Sequence, residues 1–215
     1  MELPPDNQEH QNPFETRADE YDHWFVTHHS LFLKQQNLIR PYIRNTEGMI
    51  LEIGCGPGRF ASGLLIPFGI EPSRPMCRLA YMQGISITQG IGEFLPYRSR
   101  SIAQVVLIAV LGFLTRPTCV LQEIQRCIIP SGSLIVVDID LESKTGQRYL
   151  KKQISSTFIS RAYLYSQQEI ITLLHNNGFI VSSFKRSADL ILITGVSDPH
   201  YQCTTSPPPG EHVQS

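Results

Sequence analysis

Between positions 16 and 43 the apolar and aromatic residues return every three or four places. Tyr21, Trp24, Phe25, His28, Leu31 and Phe32 fall on one stripe. That period belongs to a helix burying one face, and Pro41 is expected to end or bend its second part. Beyond it the pattern changes to short apolar runs separated by glycines and helix-period stretches. Strands are expected over 49–53, 68–70, 85–88, 104–110, 133–138, 179–184 and 189–194. Helices are expected over 59–65, 74–83, 117–128 and 167–176. Ser166 can cap the last helix, and Gly178 stands just past its end.

Strands that are apolar and β-branched, alternating with helices, predict a mostly parallel α/β sheet covered on both faces. The final two runs, FIVSSF and DLILIT, are separated by residues 185–188 only. A link that short cannot make a parallel crossover, so these two are expected to pair antiparallel. The ends read differently from the middle. Residues 1–14 and 199–215 are rich in Pro, Gln, Ser and Asn, so a mobile leading segment and a disordered tail are expected around one domain at 15–198. Residues 15–44 would form its helical cap.

Composition narrows the function. A chain of 215 residues with 41% hydrophobic and 17% charged residues can bury a sizeable core. A net charge of −1 without any Lys/Arg block argues against nucleic acid as a partner. The N-terminus lacks the basic-then-apolar pattern of a secretory signal, and the apolar run at 105–111 is too short to cross a bilayer. Five scattered cysteines offer no metal spacing, so no metal is expected, and a reducing, cytoplasmic setting is.

The chemistry concentrates in LEIGCGPGRFASGLLIPFGIEPS, residues 51–73. Gly54, Gly56 and Gly58 follow a strand and precede a helix, a place where positive φ and close approach to a ligand are useful. Dinucleotide turns want G-x-G-x-x-G with an acid about 20 residues on. Here the spacing is G-x-G-x-G, and Pro57 removes one amide that a diphosphate would use. A ligand with a carboxylate and a ribose fits better. Glu71 stands only 13 positions after Gly58, where an acid can accept hydrogen bonds from both ribose hydroxyls. The short interval requires a helix of about two turns, stopped by Pro67.

With these pieces the chain resembles the class I S-adenosylmethionine-dependent methyltransferases, of the small-molecule type with a ubiquinone/menaquinone-biosynthesis-like core. The resemblance covers about residues 18–195. It rests on ADEYDHWF, LEIGCGPGRF, GIEPSRPM, GIGEFLP, VVLIAVLGFL, LQEIQRCIIPSGSLIVVDID and LLHNNGFIVSSF. It implies a Rossmann-like seven-stranded sheet whose last strand is antiparallel, helices on both faces, and an N-terminal helical lid. It implies S-adenosylmethionine as methyl donor, S-adenosylhomocysteine as product, and a small organic acceptor attacked by in-line displacement. A non-catalytic S-adenosylmethionine-binding regulatory or partner domain is the alternative.

The same resemblance assigns donor contacts. Glu52 would orient the turn and help hold the methionine end, while Gly54 and Gly56 give backbone contact. Glu71 would hold the ribose, with Pro72 and Met76 against the adenine. Gly92 and Glu93 would meet the adenine edge, Ala109 and Val110 the methionine part, and Tyr21 would close over the donor. In two places the chain departs from the family phrase: Ala103 stands where an Asp is usual, and the turn Ile129-Pro130-Ser131-Gly132 replaces Lys-Pro-Gly-Gly.

Because a sulfonium methyl is already activated, alignment and water exclusion supply much of the rate, and no obligatory catalytic residue can be read. Trp24, His28 and Tyr163 are the candidate acceptor contacts, with Tyr165 beside the last. His23, His28 and His29 have no metal-pair spacing. Asp140 is a loop acid that can act as a base only if the acceptor must lose a proton. Arg148, Lys151 and Lys152 read as a solvated helix face. The oligomeric state cannot be read.

Overall fold

The computed structural model describes residues 12–44, 48–151 and 156–201. Seven strands form one sheet in the order β3-β2-β1-β4-β5-β7-β6. They are β1 (Met49–Ile53), β2 (Phe68–Glu71), β3 (Ser86–Gln89), β4 (Ile102–Ile108), β5 (Ile128–Ile139), β6 (Phe179–Ser187) and β7 (Leu190–Ser197). β1 pairs parallel with both β2 and β4, while β3 and β5 extend the parallel set on either side. β7 runs antiparallel to both β5 and β6. The expected Rossmann-like mixed sheet is therefore present.

β4 is buried along its whole length, and so is most of β5, which is why their sequences are continuous apolar runs rather than alternating ones. Two apolar clusters sandwich the sheet. On one face Leu51, Ile53, Val105 and Leu107 pack with Val120, Leu121 and Ile124 of α6 (Pro117–Cys127) and with Leu174 of α8 (Gln167–Asn176). On the other, Ile50, Val106 and Ile108 pack with Ala61 and Leu64 of α4 (Arg59–Leu64), with Ala80 of α5 (Arg74–Met82) and with Leu38 and Ile39. Ser166 caps α8 through a reciprocal pair with Glu169.

Several boundaries differ from the pattern-based expectation for local reasons. The N-terminal helix is three pieces: α1 (Pro13–Thr16), α2 (Ala18–Thr27) and α3 (His29–Ile39). His28 leaves helical geometry at φ −110° and ψ 32°, so the aromatic stripe turns a corner there. Asn12, Pro13 and Phe14, expected to be mobile, are ordered: Asn12 caps α1, and the Phe14 carbonyl accepts from the Ser73 hydroxyl. Residues 1–11 lie outside the described residues. At the other end Tyr201 packs on Gly178 and its hydroxyl donates to the Asn176 carbonyl, so 199–201 belong to the fold; 202–215 lie outside the described residues.

Strands β6 and β7 run closer together than the apolar pattern indicates. Their turn is just Ala188 and Asp189, both at positive φ (53° and 64°), which suits a tight hairpin. The helix α7 (Lys144–Leu150) carries Arg148, and Lys151 follows it; Lys152 lies outside the described residues. Ala103, which stands where the family phrase has Asp, is buried in β4 beside Gln104. Gln104 donates to the Tyr42 carbonyl and Ser133 hydroxyl and accepts from the Arg44 amide, satisfying the buried end of β4. No helix among the described residues is long and apolar enough to cross a membrane.

Candidate functional site

Because β1 pairs with β2 on one side and β4 on the other, the chain order reverses between β1 and β4. Ligands in such sheets bind outside the carboxyl ends at that reversal. The turn at 54–58 leaves β1 at this place. Gly54, Gly56 and Gly58 all have positive φ (67°, 53° and 76°). At Gly54 an added Cβ would also sit 2.7 Å from a Val110 methyl, so glycine is required there by both backbone and packing.

The shortened route to Glu71 is clear in the structure. Helix α4 stops at Leu65, which takes a left-handed conformation at φ 60° and is largely exposed. The Ile66 amide then donates to the Ala61 carbonyl, and Pro67 feeds straight into β2. Ile53 pairs with Ile70, so Glu71 emerges level with the glycine turn. One carboxylate oxygen of Glu71 accepts from the Gly56 amide at 3.0 Å, and the other accepts from the Ser73 amide at 2.9 Å. A two-turn helix thus still delivers the acid to the turn.

A cavity of about 290 Å³ opens here. Gly54, Gly56, Glu71 and Pro72 line one part, Gly92 and Glu93 another, and Tyr21, Ala109 and Val110 a third. Nine of the eleven residues expected to contact a donor therefore share one wall. Two do not, Met76 and Glu52. Met76 is fully buried in α5 behind the wall. Ile91, which carried no signal in the sequence, lines the cavity with 42% of its surface exposed. Glu52 lies beneath the turn, 2% exposed, and accepts from the Ala61 amide while its Oε2 has no partner.

Electrostatically this is an acidic pocket. Burial first, then the neighbouring Glu71, holds the Glu52 carboxyl well above the usual carboxylate range. Glu71 is also raised, by burial, although the Ser73 and Gly56 amides pull it back. Burial and the two glutamates push the Tyr21 phenol up to about 12, so it remains a hydrogen-bond donor at neutral pH.

Tyr21 also lines a second, larger cavity of about 610 Å³, which shares Ile108, Ala109 and Phe113 with the first. Ala109, at the junction, has φ 53°, a strained value for a residue with a Cβ. Helix α2 roofs both spaces. Tyr21 packs edge-on against Phe14 at 5.4 Å and Phe25 at 5.5 Å, and α2 is tied to the glycine-turn helix by a two-pronged Arg59–Asp22 ion pair at 2.6 Å.

Of the acceptor candidates only Trp24 lines the larger cavity. His28 is exposed and stacks on the outer face of Trp24, with ring centres 4.7 Å apart. Tyr163 is turned away: its hydroxyl donates to Glu169 at 2.7 Å, and it is 56% exposed. Its backbone holds the loop after β4 instead, donating to the Gly112 carbonyl at 2.8 Å. The neighbours Ala162 and Leu164 supply the wall. Asp140 is used structurally, accepting from the Glu142 amide with Arg186 3.7 Å away. Two residues in the larger cavity carried little sequence signal: Phe158, from an irregular segment, and Asp138, the last acid of an otherwise apolar strand. Among the described residues no cluster of three or more His, Cys, Asp or Glu could hold a metal ion.

Comparison with known proteins agrees with this geometry. Residues 51–136 match the family model for a methyltransferase domain. The uncharacterized protein MJ1123 of Methanocaldococcus jannaschii is 32% identical over 168 residues, spanning 78% of this chain and 81% of the relative. The uncharacterized methyltransferase YodH of Bacillus subtilis is 35% identical over 141 residues, spanning 60% and 59%. A Thermotoga maritima crystal structure described as a SAM-dependent methyltransferase, possible histamine N-methyltransferase, superposes with a TM-score of 0.78. It is 28% identical and covers 86% of this chain and 98% of its own. A reversal point with a glycine turn and facing acid, on a sheet of this order and with these relatives, places the chain among the class I S-adenosylmethionine-dependent methyltransferases.

Proposed function

We propose that the protein transfers the methyl group of S-adenosylmethionine to a small organic acceptor, with the donor in the smaller cavity and the acceptor in the larger one. The observation that supports this best is the position of Glu71. It faces the glycine turn on the wall of a cavity that meets a second, largely aromatic cavity at Tyr21 and Ala109.

In this reading Glu71 accepts from the ribose hydroxyls, each of its oxygens having a lone pair beyond its backbone bond. Pro72 and Ile91 pack the adenine, and the Gly92 amide and Glu93 meet its edge. Gly54, Gly56, Ala109 and Val110 follow the methionine part. Met76 and Glu52 support this wall from behind, Glu52 accepting from the Ala61 amide beneath the glycine turn. The donor supplies an activated methyl; the chain's task is to align the two molecules and keep water out. Tyr21 and the α2 roof perform that exclusion.

The acceptor is small because the larger cavity, at about 610 Å³, is walled on several sides and roofed by a helix. Two measurements test the reading. Formation of S-adenosylhomocysteine should be detectable over a panel of small acceptors, whereas donor binding without turnover over a broad panel would favour a non-catalytic role. Glu71→Ala should weaken S-adenosylhomocysteine binding by about 1–3 kcal/mol through lost ribose hydrogen bonds. Unchanged calorimetric affinity would show that Glu71 does not hold the ribose.

A further inference from the structure

The larger cavity combines an aromatic body with an acidic charge. Trp24, Phe25, Phe60, Phe113, Tyr149 and Phe158 supply rings. Among the described lining residues the carboxylates are Glu20, Asp138 and Asp189; His23 is the one basic side chain, and Lys and Arg are absent. Two of these acids are committed elsewhere. Glu20 is paired with Arg17 at 2.7 Å, and Asp189 accepts from the Thr145 hydroxyl at 2.9 Å.

Asp138 differs from both. It is 6% exposed at the carboxyl end of β5, next to the strand whose end, Ala109, joins the two cavities. Its Oδ1 accepts from the Ile139 amide at 2.8 Å and the Gly112 amide also favours its charged form, while its Oδ2 is buried with no hydrogen-bond partner. A buried carboxylate oxygen with no donor is costly unless something supplies one.

Resting on the reading that the smaller cavity holds the methyl donor, we infer that Asp138 binds the methyl acceptor, and that the acceptor is a small basic amine on an aromatic or otherwise apolar body. A carboxylate-bearing acceptor would meet, among the described lining residues, three acids and no Lys or Arg, and the nearby Arg17 is already engaged by Glu20 and Thr157. A neutral alcohol could donate to Asp138 but would leave its charge uncompensated. An ammonium group offers both a proton donor and a positive charge, and rings attract a cation on their faces.

Burial also pushes the Asp138 carboxyl up to about 6, against the pull of the Ile139 and Gly112 amides. It is thus mainly ionised at neutral pH yet more basic than an exposed aspartate, which suits proton acceptance. The titratable groups around it are Tyr165, which it helps to raise, and, around the cavity, Tyr21, Tyr149, Glu20, Asp189 and His23. The ammonium gives one N–H proton to the Asp138 carboxylate and becomes a neutral amine. Its lone pair then bonds the donor methyl carbon while the carbon–sulfur pair stays on sulfur. The product leaves as a methylated ammonium, and the Asp138 proton passes to solvent.

Three probes with one ring and different head groups test this: 2-phenylethylamine, 2-phenylethanol and phenylacetate. Each is titrated calorimetrically into the full chain, with and without saturating S-adenosylhomocysteine. The amine should bind about tenfold or more tightly than the other two, and Asp138→Asn and Asp138→Ala should each remove that advantage. S-adenosylhomocysteine affinity should stay within about twofold in both variants, which also reports that they fold. An amine that fails to bind, binds no better than the alcohol or acid, or keeps its affinity in both variants overturns the inference. Failure of S-adenosylhomocysteine to bind the unmodified chain would instead sink the donor assignment, a separate outcome.

Discussion

The two cavities that meet at Tyr21 are built in different ways. The smaller is made of short contiguous pieces at strand ends: residues 53–56, 70–72, 90–93 and 108–110 supply most of it, largely through backbone and small side chains. The larger is made of single side chains from α2, α3, α4, α7, the end of β5, the β6–β7 turn and the irregular segment at 156–164. A pocket built from main-chain turns needs specific residue types at fixed spacing. A pocket built from scattered side chains needs only bulk and shape at each point. The first constrains sequence strongly and the second weakly, so one fold can keep its donor while changing its acceptor.

The largest effect is expected from the backbone of the smaller cavity. Gly54→Ala places a side chain at positive φ and 2.7 Å from Val110. Strain and overpacking together should cost about 2–5 kcal/mol of stability. Thermal unfolding measures that directly, and an unchanged midpoint would mean the turn is not as tightly held as its geometry indicates.

Asp138→Asn should do the opposite, stabilising the fold by up to about 3 kcal/mol above pH 6. The folded-state carboxyl titrates at about 6 rather than 3.8, so folding holds the proton more tightly than the unfolded chain does. That contribution is fully present below the unfolded value and is lost as pH rises toward 6. The variant's advantage should therefore grow from about pH 4 to pH 6 and then level off. Denaturant titrations at several pH values check this; a constant difference would remove Asp138 from the account of acid-dependent stability.

Gly112→Ala probes the loop between the cavities from the other side. Its Cβ would lie 2.3 Å from the Tyr163 carbonyl oxygen, so backbone must move, at about 1–3 kcal/mol. Acceptor binding should suffer more than donor binding, because Gly112 lines only the larger cavity. Equal losses would contradict the division of labour.

The smallest effect is expected at the roof. Arg59→Ala removes the partner of Asp22, and because both side chains keep some solvent contact the stability cost should be about 0.5–1.5 kcal/mol. Faster donor dissociation in stopped-flow measurements would show that this pair helps hold the lid.

Legibility in the sequence follows the same division. The glycines at 54, 56 and 58 and the acid at 71 could be read because each answers a geometric demand, and the strands because their apolar runs are uninterrupted. The hairpin could be read as antiparallel from its short link alone. Met76 was misplaced because a motif position does not tell which face of a helix looks outward. Tyr163 is expected at the acceptor from its place just before the last helix, but in the fold its hydroxyl serves Glu169, and Ala162 and Leu164 line the larger cavity. Asp138 was hidden for a related reason: an acid ending a buried strand resembles the first loop residue. Only the packing of β4, β5 and the Gly112 loop makes it a buried carboxylate on the wall of the larger cavity with one oxygen left without a hydrogen bond.

S-adenosylhomocysteine affinity measured side by side in Glu71→Ala and Asp138→Asn tests the separation of donor and acceptor sites most directly. The account predicts a loss of about 10- to 100-fold for Glu71→Ala and a change within about twofold for Asp138→Asn. Equal losses in the two variants, or no loss in Glu71→Ala, would contradict it.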